Sequence, residues 1–302
     1  MPAPQERTCT VRNPTWSVLA LAVVLPAVAV GMAAGTAFGA GRGTAKPGVL
    51  EADTHSPYSH IRVRRQGTVK TLVFVRDNGE EAAETRVNTS KPHELLEPYC
   101  RFMFASYLFR PQPRRVLLVG LGGGAMVHFL QHYDPELKVD AVEIDPAVVQ
   151  IAEKHFGVRG TETVKLITAD GCEYLQKTNQ RYDVIYIDAF LKPAGDTDST
   201  GVPLRLKTEK FYRTLQERLT PDGLVVFNLN RHQGTETDIG FIRVAFRQTY
   251  VFRVNAANTV AVASQAETRE TAAALRARAH ELDQRFRANF SFADLLSRLA
   301  RM

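Results

Sequence analysis

The sequence predicts an α/β fold, a mostly parallel sheet flanked by helices, preceded by a small N-terminal β domain and, before that, a transmembrane helix. Three observations predict it. From Arg115 to Ile187 short apolar runs alternate with amphipathic stretches, SHIRVRR and TVKTLVFV alternate residue by residue, and Trp16 to Ala40 is apolar and uncharged. Strands alternating with helices give right-handed βαβ units and a parallel sheet.

The chain has 302 residues, 44% hydrophobic and 23% charged, an ordinary globular composition with room for two domains. We divide it into a tail, anchor and linker (1–47), a small β domain (48–98), an α/β domain (99–265) and a helical extension (266–302). Trp16 to Ala40 has the length of one bilayer-spanning helix. A cleavable signal peptide is the alternative, with Arg7 and Arg12 in its positive start and small residues at Ala37 to Gly41 for cleavage. The long apolar run favours an uncleaved anchor. Arg7 and Arg12 before the span are balanced by Arg42 and Lys46 after it, so flanking charge sets no orientation.

After the Gly/Pro linker GRGTAKPG, the two alternating runs form an antiparallel hairpin. Pro92 to Phe109 reads as a helix. Strands then follow at RVLLVG, KVDAVEID, VKLITAD and YDVIYID, with helices between them, one starting at Pro146. A polar loop from Leu191 to Thr200 leads to a helix around Glu209 to Leu219, a PDG turn and the strand LVVFNL. YVFRVNA and TVAVAS close the domain as a hairpin, which places an antiparallel strand at the sheet edge. Leu275, Ala279, Leu282 and Phe286 recur at helical spacing for a helix packed over the sheet, and Ser291 and Asp294 suit the cap of a last short helix.

Composition also excludes function classes. The three cysteines, Cys9, Cys100 and Cys172, have neither disulfide-framework nor zinc-ligand spacing, and no metal site is expected. The net charge of +6 is spread along the chain without nucleic-acid-binding motifs, so it reads as a basic surface.

The strand RVLLV runs into Gly120-Leu121-Gly122-Gly123-Gly124, where missing side chains let the backbone approach a ligand. Glu143 ends the next strand, where an acid can accept both hydroxyl hydrogens of a ribose. Asp170, followed by Gly171, and Asp188 end two further strands. Ligands of open parallel sheets bind outside the carboxyl ends of strands, so these features should face one crevice and bind a nucleoside. Singly, each has a plain structural reading, as helix packing or as caps, and capping is the better account of Asp145. Gly120, Gly122 and Ala125 also fit a G-x-G-x-x-A pattern and leave NAD open. The terminal hairpin and the Asp170-Gly171 pair fit the sheet of S-adenosylmethionine-dependent transferases better.

From about Leu50 to Ser264 the chain resembles the spermidine/spermine synthase family of polyamine aminopropyltransferases, most of all its divergent, membrane-associated bacterial branch. SPYSHI, VLLVGLGGGAM, VEIDP, ADGCEYL and YDVIYIDAF carry the resemblance in that family's order. It implies a Rossmann-like transferase domain behind the β domain, and aminopropyl transfer from decarboxylated S-adenosylmethionine to an amine such as putrescine. By the resemblance, Gly120, Gly122, Gly124, Glu143, Asp170 and Gly171 hold the donor, Glu143 at the ribose and Asp170 and Gly171 at the adenine. Asp188 accepts the proton of the attacking amine, and Tyr58 and Ser59 face the acceptor. No metal is implied. Expected partners are the small-molecule amine, the membrane through the N-terminal segment and, as an open option, a second copy of the chain. Nucleic acid is not among them.

The departures are equally specific. Gly123 stands where the family has an aspartate, Ser59 where it has glutamine, and Cys100 and Arg101 where it has a histidine–glutamate pair. Leu191 replaces the second aspartate of the loop motif. Asp196 and Asp198 are candidate substitutes, although a solvated loop accounts for them more simply. Two further functions therefore stay open: methyl transfer from intact S-adenosylmethionine to a small molecule, and a nucleoside-binding module without catalysis. Because the donor is made in the cytosol, the catalytic domain is expected on the cytoplasmic face of a membrane.

Overall fold

The computed structural model describes residues 48–300. Among those residues no helix is long and apolar enough to cross a membrane. The expected span, Trp16 to Ala40, lies outside them.

The N-terminal part is a four-stranded antiparallel sheet in the order β1 (Val49–His55), β2 (His60–Gln66), β3 (Val69–Val75) and β4 (Glu81–Asn88). The expected hairpin is β2–β3, with Ile61, Val63 and Leu72 wholly buried. The flanking strands β1 and β4 escaped the sequence reading because VLEADTH and EAAETRVN carry charges that interrupt the apolar alternation. Between Pro92 and Phe109 the expected helix is shorter. Pro98 occupies the first turn of α1 (Pro98–Met103), a 3-10 turn follows over Phe104–Leu108, and Leu95 is instead held by Asn289 through both its N–H and its carbonyl.

The following elements alternate: β5 (Arg115–Val119), α2 (Ala125–Tyr133), β6 (Lys138–Glu143), α3 (Pro146–Phe156), β7 (Val164–Thr168), α4 (Gly171–Lys177), β8 (Tyr182–Ile187), α5 (Glu209–Glu217), β9 (Leu219–Asn230), α6 (Thr235–Ala245), β10 (Gln248–Arg253) and β11 (Asn258–Ser264). They form a seven-stranded sheet in the order β10-β11-β9-β8-β5-β6-β7. β5 to β9 are parallel, and β11 runs antiparallel between β9 and β10. The antiparallel strand is thus one place inside the edge, and β10 is the edge. The PDG stretch lies within β9, whose pairing with β8 jumps from Tyr182↔Leu219 to Val184↔Leu224.

Successive residues of β5 enter opposite cores, Val116 and Leu118 on one face and Leu117 and Val119 on the other. Ile61, Leu72 and Val87 of the small sheet belong to the first of these cores, so the two sheets share one hydrophobic interior. α7 (Ala272–Phe286) buries Leu275, Ala279, Leu282 and Phe286 against it, and Ser291 caps α8 (Phe292–Ser297) by accepting from the N–H groups of Ala293 and Asp294. β6 leaves β5 on one side and β8 lies on the other, which opens a crevice at the carboxyl end of β5.

Candidate active site

The crevice is a cleft with about 870 Å³ of empty space, part of it open to solvent. The small sheet supplies Tyr58, Ser59, Phe74, Glu84 and Thr85, and the strand ends supply Gly120, Gly122, Glu143, Asp170, Gly171 and Asp188. Three strand ends are stitched together below it. The N–H of Gly120 donates to the Val142 carbonyl at 2.8 Å and that of Asp188 to the Val119 carbonyl at 2.9 Å. Gly120 has φ +102°, and a Cβ there would lie 2.1 Å from the Asp188 carbonyl oxygen, so only glycine permits this crossing.

Glu143 Oε2 accepts from Leu121 N–H at 2.9 Å and Oε1 from Asp145 N–H at 3.0 Å. Burial raises its carboxyl above the usual range, against the pull of those N–H groups. Each oxygen keeps a lone pair for a hydroxyl donor. Asp145 caps α3 through Ala147 N–H, as expected, and its other oxygen accepts from Ser56 Oγ at 2.5 Å and Ser59 Oγ at 3.1 Å. Ser59 therefore joins the two sheets, while Tyr58 lies exposed at the cleft mouth.

Asp170 lines the cleft, but both its oxygens are engaged. One caps α4 through Glu173 N–H at 3.1 Å, and the other pairs with Arg205, which also lines the cleft. Gly124 does not line it. It is the N-cap of α2, packed so that a Cβ would lie 2.2 Å from Val158, and its role is helix packing.

Asp188 is held on both oxygens by neutral donors, Asn228 Nδ2 at 2.8 Å and Tyr99 OH at 3.3 Å. Burial pushes its carboxyl up to about 6. Glu84, which sequence reasoning missed, lies in the same cleft. Burial, and then the charge of Asp188, push it up to about 7. Thr85 was missed as well. Its Oγ1 accepts from Gly123 N–H at 3.0 Å, and a Cβ on Gly123 would meet Thr85 Cγ2 at 3.1 Å and the Phe156 ring at 3.2 Å. A side chain at this position, where an aspartate was expected, would need Thr85 or Phe156 to give by a few tenths of an ångström. Asn228, a polar residue inside the apolar run LVVFNL, and Tyr99, directly before Cys100, were the signals available for the Asp188 partners.

The loop acids do not replace the missing carboxylates. Asp196 is exposed outside the cleft. Asp198 is neither solvated nor in the cleft; Lys207 bridges it to Asp238 at 2.6 Å on each side, beside His232. Although burial acts upward, the bonds from Lys207, Thr200 and Val202 hold Asp198 down at about 2.

The fold is of the Rossmann-like α/β methyltransferase type, with an N-terminal β sheet. The chain is similar to a spermidine synthase solved in complex with the transition state analogue AdoDATO, at TM-score 0.62 and 18% identity over 84% of this chain and 85% of that one. It is also similar to human methyltransferase-like protein 13 in complex with SAH, at TM-score 0.59 and 24% identity over 65% and 95%. Residues 103–266, over half of the chain, match the spermine/spermidine synthase domain, and the chain belongs to that family. Among curated relatives, the polyamine aminopropyltransferase of Vibrio vulnificus is 30% identical over 203 residues, 66% of each chain. The match spans 66% of the length of that relative and 62% of the next two.

Proposed function

We propose that this chain is a spermidine-synthase-like transferase that moves an aminopropyl group from decarboxylated S-adenosylmethionine to an amine such as putrescine. The observation that carries the reading is Asp188, an acid at a strand end, inside the cleft, bonded only to neutral donors. The named activity of the relatives and the analogue in the solved spermidine synthase support the donor.

An amine with a pKa of about 10 is mostly protonated at neutral pH and attacks only as the free base. Its nitrogen lone pair forms a bond to the carbon beside the sulfonium, and the carbon–sulfur pair leaves with sulfur as a neutral thioether. The surplus proton on nitrogen passes to the Asp188 carboxylate. Tyr99 and Asn228 keep that carboxylate oriented. Glu143, fixed by two backbone N–H groups, offers its free lone pairs to the ribose hydroxyls. The step as written uses no metal ion.

Methyl transfer from intact S-adenosylmethionine is the second reading, favoured by the absence of a carboxylate at Gly123. Calorimetry with both donors and mass spectrometry of products from a polyamine panel test the two. Tighter binding of intact S-adenosylmethionine, with a methylated product, selects the second reading. Donor binding without turnover on any amine selects a non-catalytic module.

We further infer membrane anchoring through Trp16 to Ala40, as in the divergent membrane-associated branch, with the catalytic domain on the cytoplasmic side where the donor is made. Burial pushes the Cys172 thiol up to about 11, so an introduced exposed cysteine is the better topological reporter. Its labelling by an impermeant reagent only after lysis supports this placement, and labelling of intact cells reverses it.

A further inference from the structure

Most acids of the cleft are committed. Glu143 binds backbone N–H groups, Asp145 binds Ala147, Ser56 and Ser59, and Asp170 binds Glu173 N–H and Arg205. Glu84 differs from all of them. Among the described residues it accepts no hydrogen bond and forms no ion pair, and the charges that reach it are those of Asp188, Arg76 and Glu97. The cations of its own sheet are taken, Arg76 by Glu80, Arg86 by Glu97, and Arg62 and Arg64 by Glu81.

Its position has a cause in the backbone. Leu72 pairs with Thr85 and Val73 with Ala83, so Glu84 is the extra residue of a β-bulge. Bulges re-aim side chains and recur beside active sites. Here the bulge lets Thr85 turn onto Gly123 while its neighbour Glu84 lines the cleft with Asp188. A carboxylate partly buried without a partner is costly unless a cation arrives with the ligand.

Resting on the reading of Asp188 as proton acceptor for an amine, we propose that Glu84 is a specificity-determining residue: it holds the second ammonium of the acceptor, so the cleft selects diamines over monoamines. The nitrogen at Asp188 attacks as the free base and passes its surplus proton to that carboxylate, and the nitrogen at Glu84 stays charged and anchors the chain between them. The assignment is the same whether the transferred group is aminopropyl or methyl.

Steady-state kinetics of the full chain with putrescine and with n-butylamine, at saturating decarboxylated S-adenosylmethionine, test it. Glu84→Gln should raise the KM for putrescine by about 10- to 100-fold, the scale for losing a charged hydrogen bond, and leave that for n-butylamine nearly unchanged. Calorimetric affinity for methylthioadenosine should stay at the wild-type value, which also reports folding. Glu84→Asp, which keeps the charge, should retain part of the preference for putrescine. An unchanged putrescine KM in Glu84→Gln, or equal losses for both amines, overturns the role of Glu84 and leaves the transferase reading standing. Failure of the wild-type chain to turn over either amine overturns both.

Discussion

Asn228 donates its side-chain amide to Asp188 Oδ1 at 2.8 Å from the neighbouring strand, and Asn258 Nδ2 donates in turn to Asn228 Oδ1 at 3.4 Å. This run of amides fixes the carboxylate without supplying charge. Burial can therefore hold Asp188 near 6, close to neutral pH yet ionised above it.

Asp188→Asn should lower turnover by about 10²- to 10⁴-fold, the usual contribution of a positioned base. Donor affinity should hardly change, because the carboxylate acts on the acceptor. Single-turnover rates beside calorimetric titration of the donor separate the two effects, and full rate in the variant would make Asp188 structural.

The same burial has a stability consequence with a definite sign. A carboxyl whose folded pKa exceeds its unfolded value of 3.8 or 4.5 binds its proton more tightly when folded. That contribution is complete below the unfolded value and is lost as pH rises through about 6 for Asp188 and about 7 for Glu84. Asp188→Asn should accordingly stabilise the protein at pH 8 by roughly 1–3 kcal/mol, a gain that vanishes in acid. Denaturant titrations of both proteins across this range measure it. In the wild type, turnover should rise with pH as Asp188 ionises.

Glu143→Gln should weaken the nucleoside donor by about 1–3 kcal/mol. Both carboxylate oxygens accept backbone N–H groups, so the amide nitrogen of glutamine faces a donor on one side or the other. An unchanged donor dissociation constant would remove Glu143 from the site.

Restoring the family's aspartate at Gly123 should fail on packing. Gly123→Asp should cost about 1–3 kcal/mol through contact with Thr85 Cγ2 and Phe156. Adding Thr85→Ser, which removes that methyl and keeps the hydroxyl that accepts from Gly123 N–H, should recover part of the loss. Thermal melts of both variants decide the matter; equal stability of single and double mutants would show that Thr85 is not the obstacle.

The α/β domain was largely legible because its signals are local. RVLLV and YDVIYI are unbroken apolar runs, Asp145 precedes Pro146, and Leu275 to Phe286 keep a helical period. The helix α6 and the strands β1 and β4 were not, since their polar residues are stabilised by partners from elsewhere in the chain. The fate of individual acids was also hidden. Asp170 pairs with Arg205 and Asp198 with Lys207 across loops whose course local composition does not encode.

The sequence by itself determined the strand–helix order from β5 to β9, the glycine-rich turn and the acids at strand ends, because apolar periodicity and turn chemistry act between near neighbours. Only the tertiary structure decided that Gly124 packs a helix, that Asp198 is braced by a lysine, and that Glu84 shares a cleft with Asp188. Register shifts and charge pairing are set where distant strands meet, and a bulge of one residue is enough to turn an acid on a surface-looking strand into the lining of a site.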